Sequence, residues 1–159
     1  MLGHVTVAFV LTYVVGFERQ LRGSAAGDRT FSLIGTGSAL IAVLAQAGAP
    51  NALAGAITGV GFIGAGLTFR QTDSSHRQIV RGLTSAAGIF AAAAIGAAAG
   101  QGRIALAVLG TALCLLAFEL RYVPGLRALD AGRWADRFRN DDPDPDPVPL
   151  PADDPSEPQ

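Results

Sequence analysis

Lysine is absent from this 159-residue chain, so all twelve basic residues are arginine. Cysteine occurs once, at Cys114, which excludes an internal disulfide and leaves a thiolate metal site without partners. In its apolar run Cys114 reads as a small buried hydrophobe. Charge is scarce, at 16% of residues, against about 25% in a soluble domain. Seven of the thirteen acids lie in Asn140 to Gln159, where there is no base. The rest of the chain sets twelve arginines against six acids, a net of +6. No nucleophile with a neighbouring base, H-E-x-x-H pair, Walker loop or cysteine cluster is visible. An enzyme is therefore not expected, nor is a cofactor or a nucleic-acid partner.

What is present is apolar and glycine-rich. Half of the residues are hydrophobic, twenty are glycine, and the mean hydropathy is +0.36. Five apolar runs stand between polar breaks, near residues 2–17, 31–49, 52–69, 82–99 and 104–120. The expected fold is all-α, a polytopic membrane bundle of about five helices spanning residues 1–121. Leu2 to Phe17 has no basic segment before it, so it reads as a span and not as a cleavable signal. The lipid bilayer is then the first partner.

The third run, Ala52 to Phe69, carries no charge and five glycines: Gly55, Gly59, Gly61, Gly64 and Gly66. In water such a helix is weak, because each glycine costs roughly 1 kcal/mol relative to alanine. In a bilayer the backbone must close its own hydrogen bonds, and glycine becomes a notch for a neighbouring helix. These five glycines, with Gly96 and Gly100 in the fourth run, are expected to serve helix packing. Gly59 to Gly64 also spells G-x-G-x-x-G. A dinucleotide site would need a strand before it and an acid about 20 residues on, and it lies instead within an apolar run.

Arginines alternate between the breaks. The first, third and C-terminal breaks hold three, three and five; the second holds none and the fourth one. The positive-inside rule then places the N-terminus outside and the C-terminus in the cytoplasm. The boundary residues Glu18, Arg19, Arg22, Asp28, Arg29, Thr30, Arg70, Arg81 and Thr84 would form a polar network closing the cytoplasmic mouth. Arginines at this depth also snorkel to phosphates as simple anchors. With so many guanidiniums near, the carboxylates are expected to pair, which disfavours a divalent cation site and leaves any metal unknown. Glu119 is a further boundary acid, with Arg121 or Arg70 as its expected partner. Tyr122 to Arg139 reads as a juxtamembrane segment, interfacial if helical. The acidic, proline-rich stretch 140–159 reads as disordered.

Three ordered blocks resemble the MgtC/SapB family of bacterial inner-membrane proteins. Gly16-Phe17-Glu18-Arg19, Arg22-Gly23 and Ala26-Gly27-Asp28-Arg29-Thr30 form the first. Gly59-Val60-Gly61-Phe62-Ile63-Gly64-Ala65-Gly66 with Phe69-Arg70 form the second. Val80-Arg81-Gly82-Leu83-Thr84, Ala86-Ala87, Ala94-Ile95-Gly96 and Gly100 form the third. Asp28, Ser85 and Phe90 depart from the family pattern. The tail is shorter and richer in proline than the soluble C-terminal domain of the magnesium-linked virulence members, so a membrane-only form is expected. The resemblance implies a multi-pass protein of the bacterial plasma membrane, linked to low magnesium or stress. It further implies regulation of membrane partners, such as the proton-driven ATP synthase, through helix contact. The rival role is transport of Mg²⁺ or another ion. Five short spans would need a homo-oligomer for that.

Overall fold

The computed structural model describes residues 1–72 and 78–120. Five helices form: α1 (Leu2–Leu21), α2 (Asp28–Gln46), α3 (Asn51–Gly66), α4 (Leu83–Gly100) and α5 (Ile104–Glu119). The expected segments 122–139 and 140–159 lie outside the described residues.

The helices run up and down with short turns. Gly23, Gly48 and Gly102 end α1, α2 and α4 at positive φ, with Ser24, Ala49 and Arg103 donating back to Arg19, Leu44 and Ala98 carbonyls. This six-to-one closure satisfies helix-end carbonyls, and glycine takes the left-handed position without a Cβ penalty. Two boundaries differ from expectation. Helix α1 continues through Glu18, Arg19 and Gln20, so the first charged residues sit on its last turn and not in a loop. Helix α2 opens at Asp28, ahead of the apolar run.

A larger difference falls between α3 and α4. Helix α3 stops at Gly66, short of the expected Phe69, and the polar break pairs as an antiparallel hairpin. Strand β1 (Phe69–Thr72) meets β2 (Gln78–Arg81), with Phe69 opposite Arg81 and Arg70 opposite Val80. The helical architecture thus carries one small two-stranded addition. Gly82 makes the return into α4. Its φ is +88°, and a Cβ there would collide with the Leu67 carbonyl oxygen. Both facts require glycine at the Arg81-Gly82 step.

The centre of the bundle is α4, packed against α2 and α1. Gly88, Ile89, Ala92, Ala93, Ile95, Gly96, Ala99 and Gly100 are all buried on it. A Cβ on Gly96 would lie 2.7 Å from the Gly35 Cα, and one on Gly100 equally close to the Ala39 Cα. Glycine at these points lets α2 and α4 touch backbone to backbone. Gly16 plays the same part between α1 and the start of α2, with Asp28 Cα 2.7 Å from its would-be Cβ. Two buried threonines satisfy their hydroxyls locally: Thr12 donates to the Ala8 carbonyl at 2.7 Å, and Thr111 to Ala107 at 2.9 Å.

Helix α3, whose five glycines are expected to serve packing, is peripheral. Only Val60 and Gly64 are buried on it. A Cβ on Gly55, Gly59, Gly61 or Gly66 would meet nothing within 4 Å, and one on Gly64 would touch Ala86 at 3.6 Å. Among the described residues, then, four of these five glycines notch no neighbour. The G-x-G-x-x-G stretch is continuous helix, without the strand and turn that a dinucleotide site needs.

Size is distributed inside-out. The core is mostly alanine and glycine, while Leu2, Phe9, Leu33, Leu40, Phe62, Phe90 and Leu109 face outward, Phe62 being 83% exposed. Apolar surface so extended belongs in lipid. By length and composition α4 is the one helix among the described residues that can cross a membrane by itself; α3 and α5 are apolar but shorter. Sixteen residues rise about 24 Å, short of the roughly 30 Å hydrocarbon core. The expectation of five spans is met in helix number; α3 and α5 fall short in length, and α1 and α2 are long enough but less apolar.

Candidate functional site

At the end of the bundle where α1 and α5 finish, four charged groups meet. Arg22, the C-terminal cap of α1, donates from Nη2 to both oxygens of Glu119 at 2.8 Å. Its Nε lies 3.4 Å from Glu18 Oε1. Arg19 Nη1 lies 3.9 Å from Glu18 Oε2, and its guanidinium covers the Phe118 ring at 4.5 Å from the centroid. The Glu18–Arg22 pair follows from the i,i+4 spacing once α1 continues through Leu21. Both arginines sit at the negative end of the α1 dipole, where cations are favoured.

Glu18 is the most enclosed member, its side chain only 13% exposed. Both its oxygens are shielded from solvent and rely on the two arginine contacts. It follows the apolar run that ends at Phe17. Burial raises its pKa above the ordinary carboxylate value; Arg19 opposes this, Glu119 adds to it, and Arg22 opposes it. The Arg22 guanidinium is held still more firmly charged, chiefly by its hydrogen bond to Glu119. Two carboxylates and two guanidiniums balance, so the cluster clamps α1 to α5 across 97 residues of sequence. Val14, Phe17, Leu21 and Leu115 form an apolar cleft beside it.

Asp28, Arg29 and Thr30 gather separately, at the start of α2. The Asp28 carboxylate accepts the Arg29 N–H at 2.7 Å and sits at the positive end of the α2 dipole. Gln20, Ala25 and Gly27 complete a polar hollow around them. Arg70 and Arg81 lie on the hairpin strands, and what their side chains do lies outside the described residues. Thr84 is exposed on the first turn of α4. Its neighbour Ser85 instead makes the crossing contact, Oγ to Oγ with Ser24 at 3.0 Å.

Sequence reasoning grouped nine residues as one network, and the structure brings three of them, Glu18, Arg19 and Arg22, into one cluster. It adds Glu119 and Phe118. Glu119 stood out as a boundary acid, and its partner among the described residues is Arg22; the expected Arg121 and the side chain of Arg70 lie outside them. Helix α5 runs antiparallel to α4 and so parallel to α1, which brings their last turns together. Phe118 was signalled only by standing next to Glu119. Among the described residues no group of three or more His, Cys, Asp or Glu is placed to hold a metal ion.

Comparison with known proteins agrees with the motif blocks. The MgtC family model matches residues 5–123. "Putative magnesium transporter YhiD" of Escherichia coli strain K12 is 38% identical over 127 residues, covering 72% of this chain and 57% of that protein. Protein SrpB of Synechococcus elongatus is 40% identical over 124 residues, covering 69% and 68%. Protein MgtC of Brucella abortus is 38% identical over 109 residues, covering 65% and 44%. The chain thus spans about half the length of several curated relatives it matches. No solved structure matches the chain significantly.

Proposed function

The chain belongs to the MgtC family, and on that premise we propose that it is a multi-pass plasma-membrane protein that regulates membrane partners in magnesium or stress adaptation. The observation that carries this reading is the filled centre of the bundle. Helices α2 and α4 meet at Gly35–Gly96 and Ala39–Gly100 with backbone against backbone, which leaves no bore between them. The charged groups of the described residues lie at the two ends. A single chain so packed offers helix faces to other proteins more readily than a path to an ion. On this reading no catalysis is involved, the N-terminus lies outside, and the Glu18–Arg22–Glu119 clamp faces the cytoplasm. The proton-driven ATP synthase is the partner candidate that the family resemblance supplies.

A second reading keeps ion transport open. One relative is named as a magnesium transporter, and the open glycines of α3 would let copies pack side by side around a shared path. Purified protein in liposomes separates the two. The regulatory reading expects Mg²⁺ flux no greater than in empty liposomes. Robust flux, abolished by Glu18→Gln, would replace it with the transport reading. A reporter fused to the C-terminus and found outside the cell would reverse the orientation.

A further inference from the structure

The opposite end of the bundle holds a feature that the cluster does not use. A groove of about 260 Å³ opens between α3, α4 and α5. Ala94 and Ala97 form its floor, and Leu53, Ile57, Phe90 and Leu106 its walls. Small residues on α4 beside large ones on α3 and α5 leave the hollow. It could hold about nine waters by volume, yet a water needs two to four polar partners, and this wall is apolar over most of its length. Polar groups stand mainly at the mouth, where Gln101 and Arg103 lie in the turn from α4 to α5.

Arg103 is exposed. The described acids, Glu18, Asp28 and Glu119, all lie at the far ends of their helices or in the opposite turn. No described acid therefore stands beside Arg103, and its exposed guanidinium is open to an anion from outside these residues. A guanidinium matches phosphate geometry, with two parallel donors. An apolar groove running from a cationic mouth into the hydrocarbon depth matches a phospholipid: phosphate at the mouth, acyl chain along the alanines. A second copy of this chain fits poorly, because its own end would bring another Arg103 to the first.

We infer that this groove binds one acyl chain of an anionic phospholipid, with the lipid phosphate held by Arg103. The inference rests on the membrane placement proposed above. In a bilayer the apolar outer faces solvate lipid generally; the groove with Arg103 selects one lipid by charge and holds it at a fixed place. Its occupancy covers the face of α4 that α3 and α5 leave open, so the lipid acts as a packing element between those helices.

The test uses the full chain reconstituted in phosphatidylcholine vesicles doped with photoactivatable lipid, either phosphatidylglycerol or phosphatidylcholine, carrying the reactive group on the acyl chain. Flotation with the vesicles reports membrane placement independently. Expected is labelling of the Leu53, Ile57 and Leu106 peptides by the phosphatidylglycerol probe about fivefold above the phosphatidylcholine probe, the factor of one surface arginine. Arg103→Gln should bring the two probes level, and Arg103→Lys should keep part of the preference. Ala94→Phe fills the groove and should remove labelling by both, with circular dichroism confirming the fold; Ala97→Val serves if that variant misfolds. Inorganic phosphate in excess should not compete. Equal labelling by both probes, or a preference unmoved by Arg103→Gln, overturns the inference while floating protein leaves the membrane reading intact. Crosslinking of this groove to another protein in native membranes overturns it as well.

Discussion

Helices α3 and α4 are both glycine-rich, uncharged and apolar, and they have opposite fates. In α4 the residues Gly88, Ala92, Gly96 and Gly100 recur every fourth position, which sets them on one side of the helix. Each meets something: a Cβ on Gly88 would lie 2.8 Å from Phe118 and 3.1 Å from Phe31, and those on Gly96 and Gly100 would strike α2. In α3 the glycines Gly55, Gly59 and Gly66 share an arc of roughly 60° with Phe62, and that arc faces outward. Glycine content alone thus says that a close approach is permitted, not which helix makes it. The four-residue repeat, matched by small residues on a partner, is what marks the used face. Gly35 and Ala39 on α2 are that match.

The largest effect should come from filling the used face. Gly96→Leu puts a side chain where the Gly35 backbone already stands, and neither helix can yield without parting the core. A loss of at least about 3 kcal/mol is expected, read as failure to fold or a large drop in thermal midpoint in detergent. A midpoint within a few degrees of wild type would mean that α2 and α4 are not in contact as described. Gly82→Ala comes next. It forces a left-handed residue to carry a Cβ against the Leu67 carbonyl oxygen, and left-handed strain alone costs about 1–3 kcal/mol. Its effect should be confined to the α3–α4 connection, so limited proteolysis near the hairpin should rise more than global unfolding does.

The opposite sign is expected on α3. Gly55→Ala, Gly59→Ala and Gly66→Ala meet open space, and each should stabilise the helix by about 0.5–1 kcal/mol. The midpoint of the triple variant measures this in dilute detergent, on the fraction that elutes as a single chain. If the same variant instead weakens a crosslinked oligomer in native membranes, α3 has a partner there and the contrast becomes one between intramolecular and intermolecular packing.

Much of this was legible in the sequence, and the gaps have physical causes. Five apolar runs became five helices because each run ends in glycine, proline or charge. The clamp was half visible, since Glu18 and Arg22 obey helix spacing, while Glu119 required knowing that α1 and α5 are neighbours. The hairpin was hidden because Phe69 to Arg81 mixes polar residues with only a short Gln-Ile-Val-Arg run, and its pairing depends on the tight return at Gly82. The central place of α4 was hidden because its nine alanines carry no periodic contrast. Burial there is decided by α2, whose small residues Gly35 and Ala39 lie among larger ones.

The smallest effect concerns the clamp, and it turns on pH. Helix α1 buries Glu18 while leaving about a third of the Arg22 side chain exposed. The folded pKa of Glu18 is raised, with burial as the first cause, so the folded state holds its proton more tightly than the unfolded chain does. The stability linked to that proton is fully present below the unfolded carboxylate value and is lost as pH rises through the higher folded value. Glu18→Gln cannot lose it. The variant should therefore match wild type near about pH 4 and gain on it as pH rises to about 7, followed by thermal midpoints in detergent. Parallel curves would mean that burial and the arginines cancel at Glu18. A variant that loses ground with rising pH would mean that the arginine pairs outweigh burial, making the clamp a source of stability where burial alone makes it a cost. That outcome would set the α1–α5 end beside the α2–α4 seam as a second place where the bundle is tied.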